Sequence, residues 1–193
     1  MLNLFVLVVA LVATGIVKPA WSDFNDGAVA FEQGDYAKAL QEWMSAAVEG
    51  DVKAQYNLGV IHADGLGTQQ NYTEAAKWYL LAAKQGYGAA QYNLGVLYQR
   101  GLGVPVSTTS AIKWYRQAAE NGVPESLFSL ALVYAQGEGV ARNYVTAFMW
   151  LSLATIKDHP EASSFLEKLR KKMTAPQISE GQQVTNEWLT THW

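Results

Sequence analysis

Cysteine is absent from the 193 residues. Its absence excludes disulfides, thiolate catalysis and every cysteine-based zinc or iron–sulfur site. A surplus of positive charge is lacking too: 14 Lys and Arg stand against 17 Asp and Glu, a formal net charge of −3. With no basic excess to displace counterions from phosphates, the chain has no electrostatic ground for binding nucleic acid. Charged side chains are scarce, at 16%, while half of the residues are hydrophobic, which is not the balance of a disordered chain. The three histidines, His62, His159 and His192, lie far apart and show no metal-ligand spacing. No strand-type alternation competes with helical periodicity. What the chain has in quantity is Trp, with seven residues, and Gly, with 16.

Leu4–Val17 is an apolar run of 14 residues broken only by Thr14 and Gly15. A membrane-spanning helix needs about 20 apolar residues, whereas the shorter run fits the central region of a secretory signal. Ala20-Trp21-Ser22 then supplies a small-x-small pattern that places cleavage before Asp23. Residues 1–22 are thus expected to be a signal peptide, although Met1–Asn3 carries no Lys or Arg; an uncleaved anchor is the alternative. Cleavage leaves 13 basic and 17 acidic side chains in residues 23–193, with no integral membrane span. The expected location is periplasmic or secreted, where a chain without cysteine must hold its fold by packing alone.

At an offset of 36 the chain repeats itself. Trp78, Trp114 and Trp150 share this spacing, as do Leu58, Leu94 and Leu130, and Gly50, Gly86 and Gly122. The Ala82-Ala83 and Ala118-Ala119 pairs follow it, with Ala46-Ala47 one unit earlier, as do the Gly65/Gly67, Gly101/Gly103 and Gly137/Gly139 turns. Trp43 stands one residue out of phase with the other tryptophans. Within a unit, Ala54, Leu58, Gly59 and His62 recur at helical spacing and predict a helix over about Val52–Ala63. Gly65-Leu66-Gly67 ends it. Asn71 reads as the N-cap of a second helix, whose stripe carries Tyr72, Ala75, Trp78, Tyr79, Ala82 and Ala83. The tryptophans are expected in the core, since they recur on that inward stripe. Each pair of helices has apolar area on both flanks, which only stacking with further pairs can bury. The expected class is therefore an all-α solenoid. Leu166–Met173 and Ser179–Leu189 read as two terminal helices, with Thr174 and Pro176 at the start of the last. Ile178, Val184 and Trp188 are expected to cover the open end of the array.

At these residues the chain resembles the Sel-1-like repeat, a relative of the tetratricopeptide repeat. One unit shows Ala90-x-x-x-Leu94-Gly95-x-x-Tyr98, then Gly101-x-Gly103, then Ala111-x-x-Trp114-Tyr115-x-x-Ala118-Ala119-x-x-Gly122. The unit before it has His62 at the Tyr place, and the unit after it has Ser126 and Ala131. The resemblance implies a right-handed helical solenoid of antiparallel helix pairs. It divides the chain into a signal peptide (1–22), a tetratricopeptide-like helix pair (23–50), a repeat array (51–157) and capping helices (158–193). It also implies a scaffold or adaptor that binds another protein. Some cysteine-rich secreted members are linked with β-lactamase activity or penicillin binding, which gives an alternative reading as an envelope enzyme or a peptidoglycan- or penicillin-binding protein. Those members rely on a cysteine pair in each repeat, and this chain has none.

No catalytic residue, metal or cofactor is expected. The Gly-x-Gly turns lack the continuation of a phosphate loop. Ser110-Ala111-Ile112-Lys113 matches the Ser-x-x-Lys of serine β-lactamases but has no Ser-Asp-Asn or Lys-Thr-Gly beside it. The Lys168–Lys172 run, the sole basic cluster, reads as a solvated helix end; a membrane-surface or partner patch is the lesser reading. In solenoids of this type the first helix of each pair lines the concave surface. The residues expected to face a protein or peptide partner are thus Tyr56, Asn57, Val60 and Asp64, then Tyr92, Asn93, Val96 and Arg100, then Phe128, Ser129, Leu132 and Gln136. The rings supply apolar area and the Asn side chains can hold a partner's backbone. The competing expectations are that the rings pack on the next pair, and that Asp64 and Arg100 pair with each other.

Overall fold

The computed structural model describes residues 20–192, with side chains from Phe24 onward. The expected signal core, Leu4–Val17, lies outside the described residues. Among those residues there are ten helices and no strand. They are α1 (Ala20–Glu32), α2 (Tyr36–Val48), α3 (Val52–Asp64), α4 (Tyr72–Lys84), α5 (Gly88–Arg100), α6 (Thr108–Glu120), α7 (Pro124–Gln136), α8 (Tyr144–Ile156), α9 (Ala162–Arg170) and α10 (Ala175–His192). None is long and apolar enough to cross a membrane.

Short polar side chains set the starts of α3, α4, α6 and α8. Asp51 accepts from the Ala54 amide at 2.7 Å, and Asn71 from that of Glu74 at 3.1 Å. Ser107 and Asn143 do the same one and two units on, at 3.2 and 3.0 Å. Each such cap is worth about 1 kcal/mol. The second helices give way to a left-handed residue, Gly50, Gly86 or Gly122, at φ 101°, 85° and 74°. The same place in the next unit is taken by Asp158, at φ 59°.

Helices pair as α1–α2, α3–α4, α5–α6 and α7–α8, and each pair packs on the next. The pairs close because a small residue on the first helix receives a large one from the second. A Cβ on Gly27 would lie 2.5 Å from the Trp43 ring, one on Gly59 2.4 Å from Tyr79, and one on Gly95 2.6 Å from Tyr115. In the following pair Ala131 and Leu151 hold these places, the extra methyl matched by a smaller partner. This series resolves the phase of Trp43, which is equivalent to Tyr79 rather than to Trp78. The α1–α2 link is three residues and the α3–α4 link seven, so the first helix of that pair is displaced by four.

The tryptophans divide. Trp43 and Trp150 are 2% exposed, as expected, but Trp78 and Trp114 are only half-buried. Both lean on the core of the preceding pair. Trp150 differs because α10 covers it, with the Trp188 ring 4.8 Å away and tilted by 67°.

Two buried glutamines join the pairs. Gln55 donates from Nε2 to the Ala47 carbonyl at 3.0 Å, and its Oε1 accepts from Gln85 Nε2 at 2.8 Å. Gln91 repeats this with the Ala83 carbonyl and Asn121 Nδ2, at 3.1 and 2.9 Å. Leu127 fills the place one unit later, fully buried.

The terminal helices start earlier than expected, at Ala162 and Ala175 rather than Leu166 and Ser179. Ala162, Leu166 and Leu169 stand 36 residues after Ser126, Leu130 and Val133, and all six are buried. Helix α9 is therefore a fourth first helix, in register with α3, α5 and α7. Both α9 and α10 pack on α8. Thr174 caps α10 reciprocally with Gln177, whose Oε1 accepts from the Thr174 amide at 2.9 Å. Gly181 gives room to Phe148, and Ile178, Trp188 and Leu189 lie on the same core, while Val184 is half-buried.

Candidate functional site

The face built from the first helices carries the candidate residues. All twelve positions are accessible: Asp64, Arg100 and Gln136 are exposed, and the other nine are half-buried. Their neighbours on the same helices (Leu58, Ile61, Leu94, Leu97, Leu130 and Val133) are packed away. The three- and four-residue spacing of a helix accounts for this division, since it puts one set of side chains between the pairs and leaves the other outside.

The aromatic series serves packing as well as surface. Tyr56 has the Tyr87 ring at 5.0 Å and Tyr79 at 5.8 Å, and Tyr92 has Tyr115 at 5.8 Å. Phe128 stacks on His159 at 4.2 Å and meets the Phe165 edge at 5.0 Å. The Tyr115 phenol donates to Gln99 Oε1 at 2.7 Å. Burial pushes the Tyr79 and Tyr115 phenols well above their usual range. The Tyr56 and Tyr92 hydroxyls add to the rise, and the polar side chains of Asn93 and Ser129 beside the phenols oppose it. Tyr56 is raised as well, first by burial and then by Tyr87. Asp64 and Arg100 form no ion pair with each other among the described residues.

Clefts gather the candidate residues in groups. One of about 450 Å³ lies between α5 and α7 and takes in Tyr92, Val96, Arg100, Phe128, Ser129 and Leu132. Its rim adds Glu125, His159 and Glu161, so both signs of charge meet there. A second, of about 190 Å³, joins Leu132 and Gln136 to Phe165, Lys168 and Lys172. Asn57 and Val60 share a third, of about 160 Å³, with Phe31, Glu32 and Trp43. Tyr56, Asp64 and Asn93 lie outside all three.

Lys168 and Lys172 were not among the twelve expected concave-face residues, a partner patch being only the lesser reading of their basic run. Their signal was the 36-residue register itself, since they follow Leu132 and Gln136 at that spacing.

The catalytic look-alike is occupied by structure. Ser110 Oγ is 2.8 Å from Ser107 Oγ at the start of α6, and Lys113 Nζ lies 5.7 Å over the Trp114 ring. No group of three or more His, Asp or Glu side chains suited to a metal occurs among the described residues.

Helix pairs stacked at a fixed period, with one ordered face left open, define a helical-repeat solenoid protein. Within that class the chain belongs to the Sel1 repeat family: three Sel1 repeats match residues 52–87, 88–123 and 124–159. Among solved structures it is similar to a Sel1 repeat protein from Oxalobacter formigenes, at 30% identity and a TM-score of 0.70. That match covers 74% of this chain and 59% of the other. It is also similar to a protective antigen of uropathogenic Escherichia coli with an SLR fold, at 25% identity and a TM-score of 0.62. There the match covers 90% of this chain and 46% of the other, so this chain spans less than two thirds of either relative. No curated protein matches the chain. Sel1 repeats generally mediate protein–protein contacts, and scaffolds built from them are generally non-catalytic.

Proposed function

We propose that the chain is a non-catalytic scaffold that holds a protein or peptide segment on the concave side of its solenoid, in the periplasm or outside the cell. The observation that carries this is the repeated exposure of the same first-helix positions beside neighbours that are buried. An extended or helical segment lying across α3, α5 and α7 would meet a ring, an amide or hydroxyl and an aliphatic side chain at each step. The apolar run Leu4–Val17 supports the location.

A photo-crosslinking residue at Arg100 or Gln136 is expected to capture the partner in cells, and one at Lys77 or Lys113 on the second helices is not. Capture only from Lys77 and Lys113 would overturn the assignment of the face. The purified chain is expected neither to hydrolyse nitrocefin nor to be labelled by fluorescent penicillin. Either activity, lost on Ser110→Ala, would make it an enzyme or a penicillin-binding protein instead.

A further inference from the structure

We infer that the cleft between α7 and α9 receives an acidic peptide segment, one apolar side chain entering over Leu151 while flanking carboxylates pair with Lys168 and Lys172. This rests on the reading of the first-helix face as the partner surface and names the chemistry that its far end selects.

The recess has counterparts between the earlier first helices but a smaller volume and a different lining. In the two preceding pairs a tyrosine, Tyr79 or Tyr115, fills the space opposite a glycine. Here Leu151 stands opposite Ala131, and both line a cleft of about 190 Å³ whose walls include Leu132, Phe165 and Leu169. That volume suits one large apolar side chain rather than a long ligand.

The charge at its rim has one sign. No carboxylate lines the cleft, whereas Lys168 on α9 and Lys172 in the turn that follows it both do. Arg170, between them in sequence, is already engaged: it meets Glu167 at 3.3 Å and lies 5.4 Å over the Phe148 ring. Lys168 lies 5.0 Å over Phe165, so its charge is held beside the apolar wall. Neither Lys168 nor Lys172 has an ion pair among the described residues. The larger cleft next to it has Glu125 and Glu161 beside Arg100 and selects no sign. An anionic membrane surface would need a flat basic patch. A recess flanked by two lysines instead matches a side chain with carboxylates before and after it.

The test uses the full purified chain and fluorescein-labelled nonamers with a central Leu, Phe or Met between Glu residues, read by anisotropy at low and at high salt. Controls replace every Glu by Gln. At least one acidic probe is expected to bind ten-fold or more tightly than its Gln control, with binding weakened by salt. Lys168→Glu with Lys172→Glu should reduce that binding at least ten-fold at unchanged helicity. Ala135→Trp, which places a ring in the lining of the recess, should weaken it at least ten-fold at unchanged helicity.

Equal binding of the acidic and Gln probes, or no binding of any acidic probe, overturns the inference. So does binding that survives the lysine substitutions, or binding of phosphatidylglycerol vesicles with none of the probes. Crosslinking from Arg100 separates the two readings. If it still captures a partner while acidic probes fail, the partner face stands and this inference alone is wrong.

Discussion

Each glycine of a Gly-x-Gly turn has its own work. Gly103 is the clearest case, because a Cβ there would lie 2.2 Å from the Tyr72 backbone at the start of α4. A backbone atom cannot step aside, so Gly103→Ala combines a left-handed residue with a clash between units. Gly86 also has a positive φ but open space around it. Gly86→Ala is expected to cost about 1 kcal/mol, and Gly103→Ala at least about 2 kcal/mol more through overpacking. Chemical denaturation of both variants checks the order. The converse holds at Asp158, the non-glycine residue with a left-handed backbone at the place of Gly50, Gly86 and Gly122. Asp158→Gly should raise stability by up to about 1 kcal/mol, less the added freedom of the unfolded chain. The tyrosines add a pH dependence. Burial raises the Tyr79 and Tyr115 pKa values above the usual value of about 10. The folded state therefore keeps those protons longer than the unfolded one. Their contribution is intact below about pH 10 and is lost as pH rises beyond it. Ultraviolet titration should show Tyr79 and Tyr115 ionising last, with loss of helicity, and Tyr79→Phe should soften that loss.

Between helices, packing is governed by pairs of positions, and the chain contains its own controlled comparison. Gly59 faces Tyr79, while Ala131 and Leu151 hold the same two places two units later. Gly59→Ala should cost about 1–3 kcal/mol by overpacking. Adding Tyr79→Leu should recover much of that, a coupling that a double-mutant cycle measures directly. Gln91 provides a polar counterpart. Gln91→Ala leaves the Ala83 carbonyl and Asn121 short of a partner and should cost about 1–3 kcal/mol. Gln91→Leu should cost less, because Leu127 shows that an apolar side chain fits this place.

Helix identity and the first repeat boundaries were legible because a 36-residue offset aligns large, small and turn residues together. The α3 and α4 limits agree with the spacing to within a residue, and Asn71 caps as read. The Gly59–Tyr79 match was not legible, because each residue recurs at the 36-residue offset but the offset does not say which position of the facing helix it meets. The half-burial of Trp78 and Trp114 was hidden for a related reason: whether an inward stripe is covered depends on the next element, which only α8 receives in the form of α10.

Across the whole molecule, three successive cores run from α1 to α10 with side chains from one pair packed on the next. Stability in such an array is close to a sum over units and their contacts. Of the candidate site, the first-helix positions were readable from the register, as their shared exposure shows. The clefts between them were not, since they depend on how far apart neighbouring first helices lie. The role of α9 was masked by its charged outer face, which departs from the earlier units while its inner Ala162, Leu166 and Leu169 keep to the register.

Helix α10 bears on a matter of symmetry. A stack of like units related by one repeated step is an open helical lattice, and nothing in the step itself says where growth ends. By lying on α8 with Gly181 against Phe148 and Trp188 against Trp150, α10 occupies a flank on which another element could stack. A chain shortened after Met173 would present that flank to the α1–α2 end of another molecule, a head-to-tail contact that does not close. Light scattering of the shortened chain should rise with concentration where that of the full chain does not. The last helix thus takes up a surface that the stacking rule by itself leaves open to a further copy.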